Sequence, residues 1–237
     1  MSARAERSTT ESIEVVPIRG PAPEGEVTSH GQRPRLVRTS LILDDGTRVG
    51  VSIAGRGLPL VVVHGYSAEG FLYAQTLSRL VDLGFQVVAI DTAGHGGTQG
   101  FPAMGAPFSA YVELLGRAID ALGIRHAVLA GHSMGGRMVA ELASLRPERT
   151  VGVVLLDAIV GDTWDRMTQG FRVAPFAFLP YAGLLIWDSV SPLHFLRDPA
   201  QAVKFARLGT PVLAGHFRHP GRLAGPAMSL VRSGKST

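Results

Sequence analysis

Short, uncharged apolar runs alternating with helical stripes limit this chain to one kind of core. Leu60–Val63 and Val151–Leu156 contain no charge, and Phe85–Ile90 and His126–Ala130 are nearly as apolar. Such a run suits a strand that is covered on both faces, rather than one with a wet side. Between them lie stretches with helical spacing. Phe71–Leu83 has apolar residues at 73, 77, 80 and 81 and is closed by Gly84. A helix capped by Ser109 would carry Tyr111, Val112, Leu115, Ala118, Ile119 and Leu122 on one face and end at Gly123. Met134–Leu145 reads as a third helix, stopped before Pro147. Upstream, Leu36–Leu43 and Thr47–Ala54 alternate around Asp44-Asp45-Gly46, a hairpin with its turn.

A hairpin followed by alternating strands and helices implies right-handed crossovers. The expected fold class is α/β: a mostly parallel, doubly wound sheet with helices on both faces. Chemistry in such sheets gathers at the carboxyl ends of the strands. Here those ends are His64-Gly65-Tyr66, Asp91–Gly96 and Gly131-His132-Ser133.

The rest of the chain is read around this core. Residues 1–35 balance five Arg against five Glu with little to bury, and are expected to be a disordered tail. Residues 36–157 are the expected core. After Asp157 the rhythm breaks into Trp-, Phe-, Pro- and Leu-rich sequence, so residues 158–237 are expected to form a helical lid or cap inserted over the strand ends. Phe171, Phe176, Phe178, Leu179, Tyr181, Leu184, Leu185 and Trp187 supply its apolar surface. Residues 173–187 are too short and too Pro-broken to cross a membrane. Ser229–Thr237 reads as an Arg- and Ser-rich connection rather than a packed helix.

Charge divides along the same line. Residues 1–165 hold 14 Arg and 17 Asp/Glu, whereas residues 166–237 hold 9 Lys/Arg and 2 Asp. With no basic-aromatic module or basic helix-turn-helix pattern, nucleic acid is excluded as a partner. No cysteine is present, which removes disulfides and thiolate metal sites. The first residues lack the apolar core of a signal peptide, and a cytoplasmic location is the default expectation.

Gly131-His132-Ser133-Met134-Gly135 fits G-x-S-x-G between a strand and a helix. The pattern puts Ser133 on a sharp turn, where its hydroxyl projects above the sheet. Side chains at 131 and 135 would crowd that turn, and Gly136 lets the next helix come close. The N–H of Met134, at the helix start, is aimed where a tetrahedral oxyanion would form. Other readings are weaker. Gly94–Gly100 imitates a dinucleotide loop, but Gln99 stands where G-x-G-x-x-G needs glycine. His64, His95 and His132 lack a carboxylate at ligand spacing, so structural hydrogen bonding is expected of each in place of metal binding. An Asp such as Asp91, at a strand end, more often ties down its own turn than acts as an acid.

From Arg35 to Asp157 the chain resembles the α/β-hydrolase superfamily, through VVVHGYSAEG at 61–70, VVAIDTAGHGGTQG at 87–100 and VLAGHSMGGRMVAELASLRPERTVGVVLLDA at 128–158. The resemblance implies Ser133 as catalytic nucleophile and the N–H groups of Tyr66 and Met134 as the oxyanion hole. It implies no metal and no organic cofactor. A Ser nucleophile points to esterases, lipases, thioesterases and C–C bond hydrolases. The substrate expected is a small hydrophobic ester-like molecule, with transient contact of the lid with a membrane surface as a further option. The other class of reading is a binding or scaffolding protein without turnover.

The family's order is Ser, then Asp/Glu, then His, and residues 206–237 contain no acid. Two explanations stand. The chain ends before its last βα units, or the triad is Ser133, Asp157 and His216, with a short strand at Thr210–Leu213.

Overall fold

The computed structural model describes residues 37–66, 74–174, 203, 214 and 221–232. Strands β1 (Val37–Ile42) and β2 (Arg48–Ala54) form the hairpin, followed by β3 (Leu58–Val63), α1 (Ala74–Asp82), β4 (Phe85–Ile90) and α2 (Phe108–Ala121). Next come β5 (Ala127–His132), α3 (Met134–Leu145), a 3-10 turn (Pro147–Arg149), β6 (Thr150–Leu156), α4 (Asp162–Val173) and α5 (Gly221–Arg232). Gly46 turns the hairpin at φ 80°, where a side chain would be strained, and Asp45 Oδ1 accepts the Thr47 N–H at 2.9 Å.

The six strands lie in the order β1-β2-β4-β3-β5-β6, and β2 alone runs against the others. This is the mostly parallel sheet the sequence implies. Going from β3 to β4 the chain moves one way along the sheet, and from β4 to β5 it crosses back over β3. Right-handed crossovers in opposite directions leave their helices on opposite faces. The side chains sort accordingly. Val87 and Ala89 of β4 pack with Leu77 and Val81 of α1. Val88 and Ile90 of the same strand join Val61, Val63, Tyr111, Leu115, Met138 and Leu142 in the larger core under α2 and α3. Period-two alternation within an all-apolar strand thus feeds two cores at once.

Three expectations need correction or extension. Ser109 does not cap α2: the helix starts at Phe108, and Pro107, extended at φ −60° and ψ 147°, is the N-cap without a side-chain hydrogen bond. Proline's fixed φ suits that position and sets the start two residues earlier. Residues 229–232 are not connection but the end of α5, whose Ser229 and Leu230 are buried. Pro226 inside the helix hid its period. The sequence gives α4 no distinct stripe, yet α4 is helical and packs on α5, which also touches α2.

Among the described residues, no helix is long and apolar enough to cross a membrane. The tail 1–35, the lid positions Phe176, Phe178, Leu179, Tyr181, Leu184, Leu185 and Trp187, the short strand Thr210–Leu213 and His216 lie outside the described residues.

Candidate active site

Strands are added on one side of β3 with β4 and on its other side with β5, and the carboxyl ends of the parallel neighbours β3 and β5 meet at that switch. That crevice is where an open α/β sheet offers a site. Ser133 leaves β5 at φ 51° and ψ −117°, one of two non-glycine residues with positive φ among those described. Such a conformation costs on the order of 1–3 kcal/mol and persists only when its surroundings fix it. They do: the Ser133 N–H donates to Leu156 O at 2.9 Å, and the Ser133 carbonyl accepts from Gly136 at 3.0 Å and from Ile159 at 3.2 Å.

The glycines of the motif are required by space. A Cβ on Gly131 would stand 2.3 Å from Gly135 O, and one on Gly135 would stand 2.4 Å from Val63 O. Both obstacles are backbone. A Cβ on Gly136 would meet the Cβ of Ala158 at 2.5 Å, so this glycine also admits the chain leaving β6. Met134, first in α3, is 1% exposed.

Across the crevice, Gly65 lies against the elbow: a Cβ there would be 3.0 Å from Ser133 Cβ and 2.8 Å from His132 Nδ1. The peptide that carries the Tyr66 N–H therefore abuts the serine. The Gly65–Tyr66 peptide, from a separate segment of sequence, thus lies beside Ser133 and its neighbour Met134. The phenol of Tyr66 is pushed above the usual tyrosine value, first by burial and then by neighbouring Tyr111. It is a neutral edge of the site, in T-shaped contact with His95 at 6.2 Å between ring centroids.

His64 and His95 are held by hydrogen bonds. Fully buried His64 contacts Gly65 O through Nδ1 at 2.7 Å and accepts the Thr92 N–H at Nε2 at 2.9 Å. His95 Nδ1 lies 3.0 Å from Thr92 Oγ1 and 3.1 Å from Ala93 O. Asp91 ties its own turn, accepting from Gly97 N–H at 3.0 Å and pairing with Arg38 of β1 at 3.3 Å. The glycine-rich loop is thus bound to the sheet, and α2 begins only at Phe108. A dinucleotide loop would open directly into a helix.

Asp157 directly follows β6, one strand from Ser133, and is the other non-glycine residue at positive φ among those described, 44°. Asp enters this region more easily than most residues. It is exposed at the same sheet edge as the elbow. No sequence signal marks the burial of Arg137 on α3, 5% exposed with its guanidinium 4.6 Å from the Phe108 ring centroid. An arginine on an apolar helix reads as solvated until its aromatic partner is known. A cavity of about 470 Å³ opens beside the glycine-rich loop, walled in part by Ser40, Arg48, Gln99, Met104, Tyr111 and Pro226. Ser133 is not in its wall, so it belongs to the loop rather than to the elbow.

Residues 58–203 match the family model described as serine aminopeptidase, S33. A Mycobacterium phage D29 protein named for non-heme haloperoxidase activity is 34% identical over 206 residues, which is 76% of this chain and 74% of that protein. A non-heme chloroperoxidase of Kitasatospora aureofaciens is 32% identical over 117 residues, 48% of this chain and 42% of its own length. Among solved structures, a bacterial membrane phospholipase A described as a virulence factor superposes with a TM-score of 0.51 at 25% identity, covering 54% of this chain and 41% of that one. The chain thus spans less than half the length of the last two.

Proposed function

Because the chain belongs to the serine aminopeptidase S33 family of α/β-hydrolases, we propose that it is a serine hydrolase cleaving an ester-like bond of a small hydrophobic substrate. The observation that carries this reading is the strained Ser133, held between two glycines that cannot carry a Cβ and facing the Gly65–Tyr66 peptide.

In this reading Ser133 Oγ attacks the substrate carbonyl carbon as its proton passes to a general base. The carbonyl oxygen becomes an oxyanion, held by the N–H groups of Met134 and Tyr66. Collapse expels the alcohol, which takes up the proton, and leaves an acyl-serine that water then cleaves. Asp157 and His216 are the acid and base to test first within these residues. The apolar, basic segment after Asp157 acts as a lid that selects hydrophobic acyl or aromatic groups.

A fluorophosphonate probe is expected to label Ser133 and to leave Ser133→Ala unlabelled. Labelling that survives the substitution overturns the assignment. Slower labelling in both Asp157→Asn and His216→Ala supports that pair. Unchanged labelling in both places the acid and base elsewhere, and triad members act as a unit, so an intermediate result in one alone also counts against the pair.

A further inference from the structure

We infer that His64 is a positioning residue that aims the Tyr66 N–H at Ser133 by holding the carbonyl of the same peptide unit; the inference rests on the serine-hydrolase reading above.

Two hydrogen bonds of the ring assign the same tautomer. A carbonyl oxygen only accepts, so the contact of Nδ1 with Gly65 O at 2.7 Å requires a proton on Nδ1. A backbone N–H only donates, so the 2.9 Å bond from Thr92 requires a lone pair on Nε2. The ring is neutral and fixed, and Thr92, two residues beyond β4, sets which nitrogen faces Gly65.

The rest is peptide geometry. The Gly65–Tyr66 bond is trans, as are all those described. In a planar trans peptide the C=O and N–H point in opposite directions. Fixing the Gly65 oxygen toward His64 therefore fixes the Tyr66 N–H away from it. Gly65 lies against Ser133, with only about 3.0 Å between the serine Cβ and the place a Gly65 Cβ would take. The N–H is consequently presented to the elbow by a buried group that never touches substrate. Without the clamp the peptide can rotate, since Gly65 has no side chain to restrain it. The effect on catalysis would be that of a misaimed oxyanion donor, about 100-fold in rate with little change in substrate binding.

Two substitutions separate the clamp from simple packing. Asparagine places an amide N–H where Nδ1 stands, so His64→Asn keeps the donor to Gly65. Glutamine reaches the Nε2 position, so His64→Gln keeps a partner for Thr92 and loses the clamp. In the ¹⁵N-labelled chain, His64 is expected to show the Nδ1–H tautomer; the Nε2–H tautomer overturns the proposal. On phosphonylation of Ser133, the amide protons of Tyr66 and Met134 are expected to move downfield together. In His64→Gln the Tyr66 movement is lost and that of Met134 kept, while labelling slows by about 100-fold. His64→Asn restores both to within about threefold of the parent chain. Equal behaviour of folded Asn and Gln variants overturns the clamp. If the parent chain takes no label, the serine-hydrolase reading fails instead. The tautomer, with the Tyr66 amide shift of the unmodified Asn and Gln variants, still decides whether His64 holds this peptide.

Discussion

Ser133 occupies a turn at φ 51° whose neighbouring backbone leaves no room for side chains at 131 and 135. Its flanking glycines predict a tight turn, and the distances of 2.3 and 2.4 Å from would-be Cβ atoms to backbone oxygens explain why no other residue serves. The turn's strain is a cost to the fold, with φ at 51°. Replacing Ser133 by Gly removes it at about 1–3 kcal/mol, less the roughly 0.5–1 kcal/mol that glycine loses through unfolded-chain entropy. Ser133→Gly is therefore expected to melt about 2–4 °C above Ser133→Ala, which keeps the Cβ and its strain. Thermal melts of the two variants check this, and equal or reversed midpoints would show that the turn is unstrained. His64 was legible only as a hydrogen-bonding residue. Two of its contacts are with Thr92, just beyond β4, and with its own following peptide, and neither spacing is periodic.

At the scale of elements, the position of each strand is legible because an apolar run such as Val61–Val63 is too short and too β-branched to be anything else. Helix ends were read less well. Ser109 looked like a cap, but the proline two residues earlier had already fixed the extended entry into α2. The C-terminal end of α2 has another feature that the sequence hides. Asp120 lies in its last turn, where a negative charge opposes the helix dipole. Burial pushes its carboxyl up, yet hydrogen bonds from Arg146 and Arg149 outweigh this and hold it below the ordinary carboxylate range. Arg146 Nη1 donates to Asp120 Oδ2 at 2.8 Å, and Arg149 also reaches Ile124 O at 2.7 Å, so α2 is tied to the turn before β6. A depressed folded-state value stabilises the protein above the unfolded value, and that contribution disappears as pH falls through the folded one. With the Asp120 side chain 42% exposed, it amounts to less than about 1 kcal/mol. Asp120→Asn should lower the melting point slightly at pH 7 and hardly at all near pH 2. A deficit that widens on acidification would contradict the assigned ion pair.

For the molecule as a whole, the sheet is asymmetric. One edge is the hairpin strand β1, while β6 is hydrogen-bonded to β5 on one side only among the described residues. The apolar sequence of β6 predicts a strand covered on both faces, but Val151, Val153, Val154, Leu155 and Leu156 are 41–54% exposed. This departure from expectation arises because a strand's own sequence specifies that it needs cover and not what supplies it. Each large apolar side chain left in water forgoes up to roughly 1.5–3 kcal/mol of burial. Several such losses weigh heavily against a total stability of about 5–15 kcal/mol. An uncharged, β-branched edge is also a template for pairing with other chains. The 237-residue chain is therefore expected to self-associate during size-exclusion chromatography with light scattering, increasingly so with concentration. Val153→Lys, which places a charge on that edge without touching the elbow or the β5 ladder's glycines, should shift the population toward monomer and leave the unfolding stability at high dilution within about 0.5 kcal/mol of the parent. A parent chain that stays monodisperse and monomeric up to millimolar concentration, with a single cooperative melt, would show that β6 is covered within the chain itself. The basic segment after Asp157 would then be the first place to look for the cover.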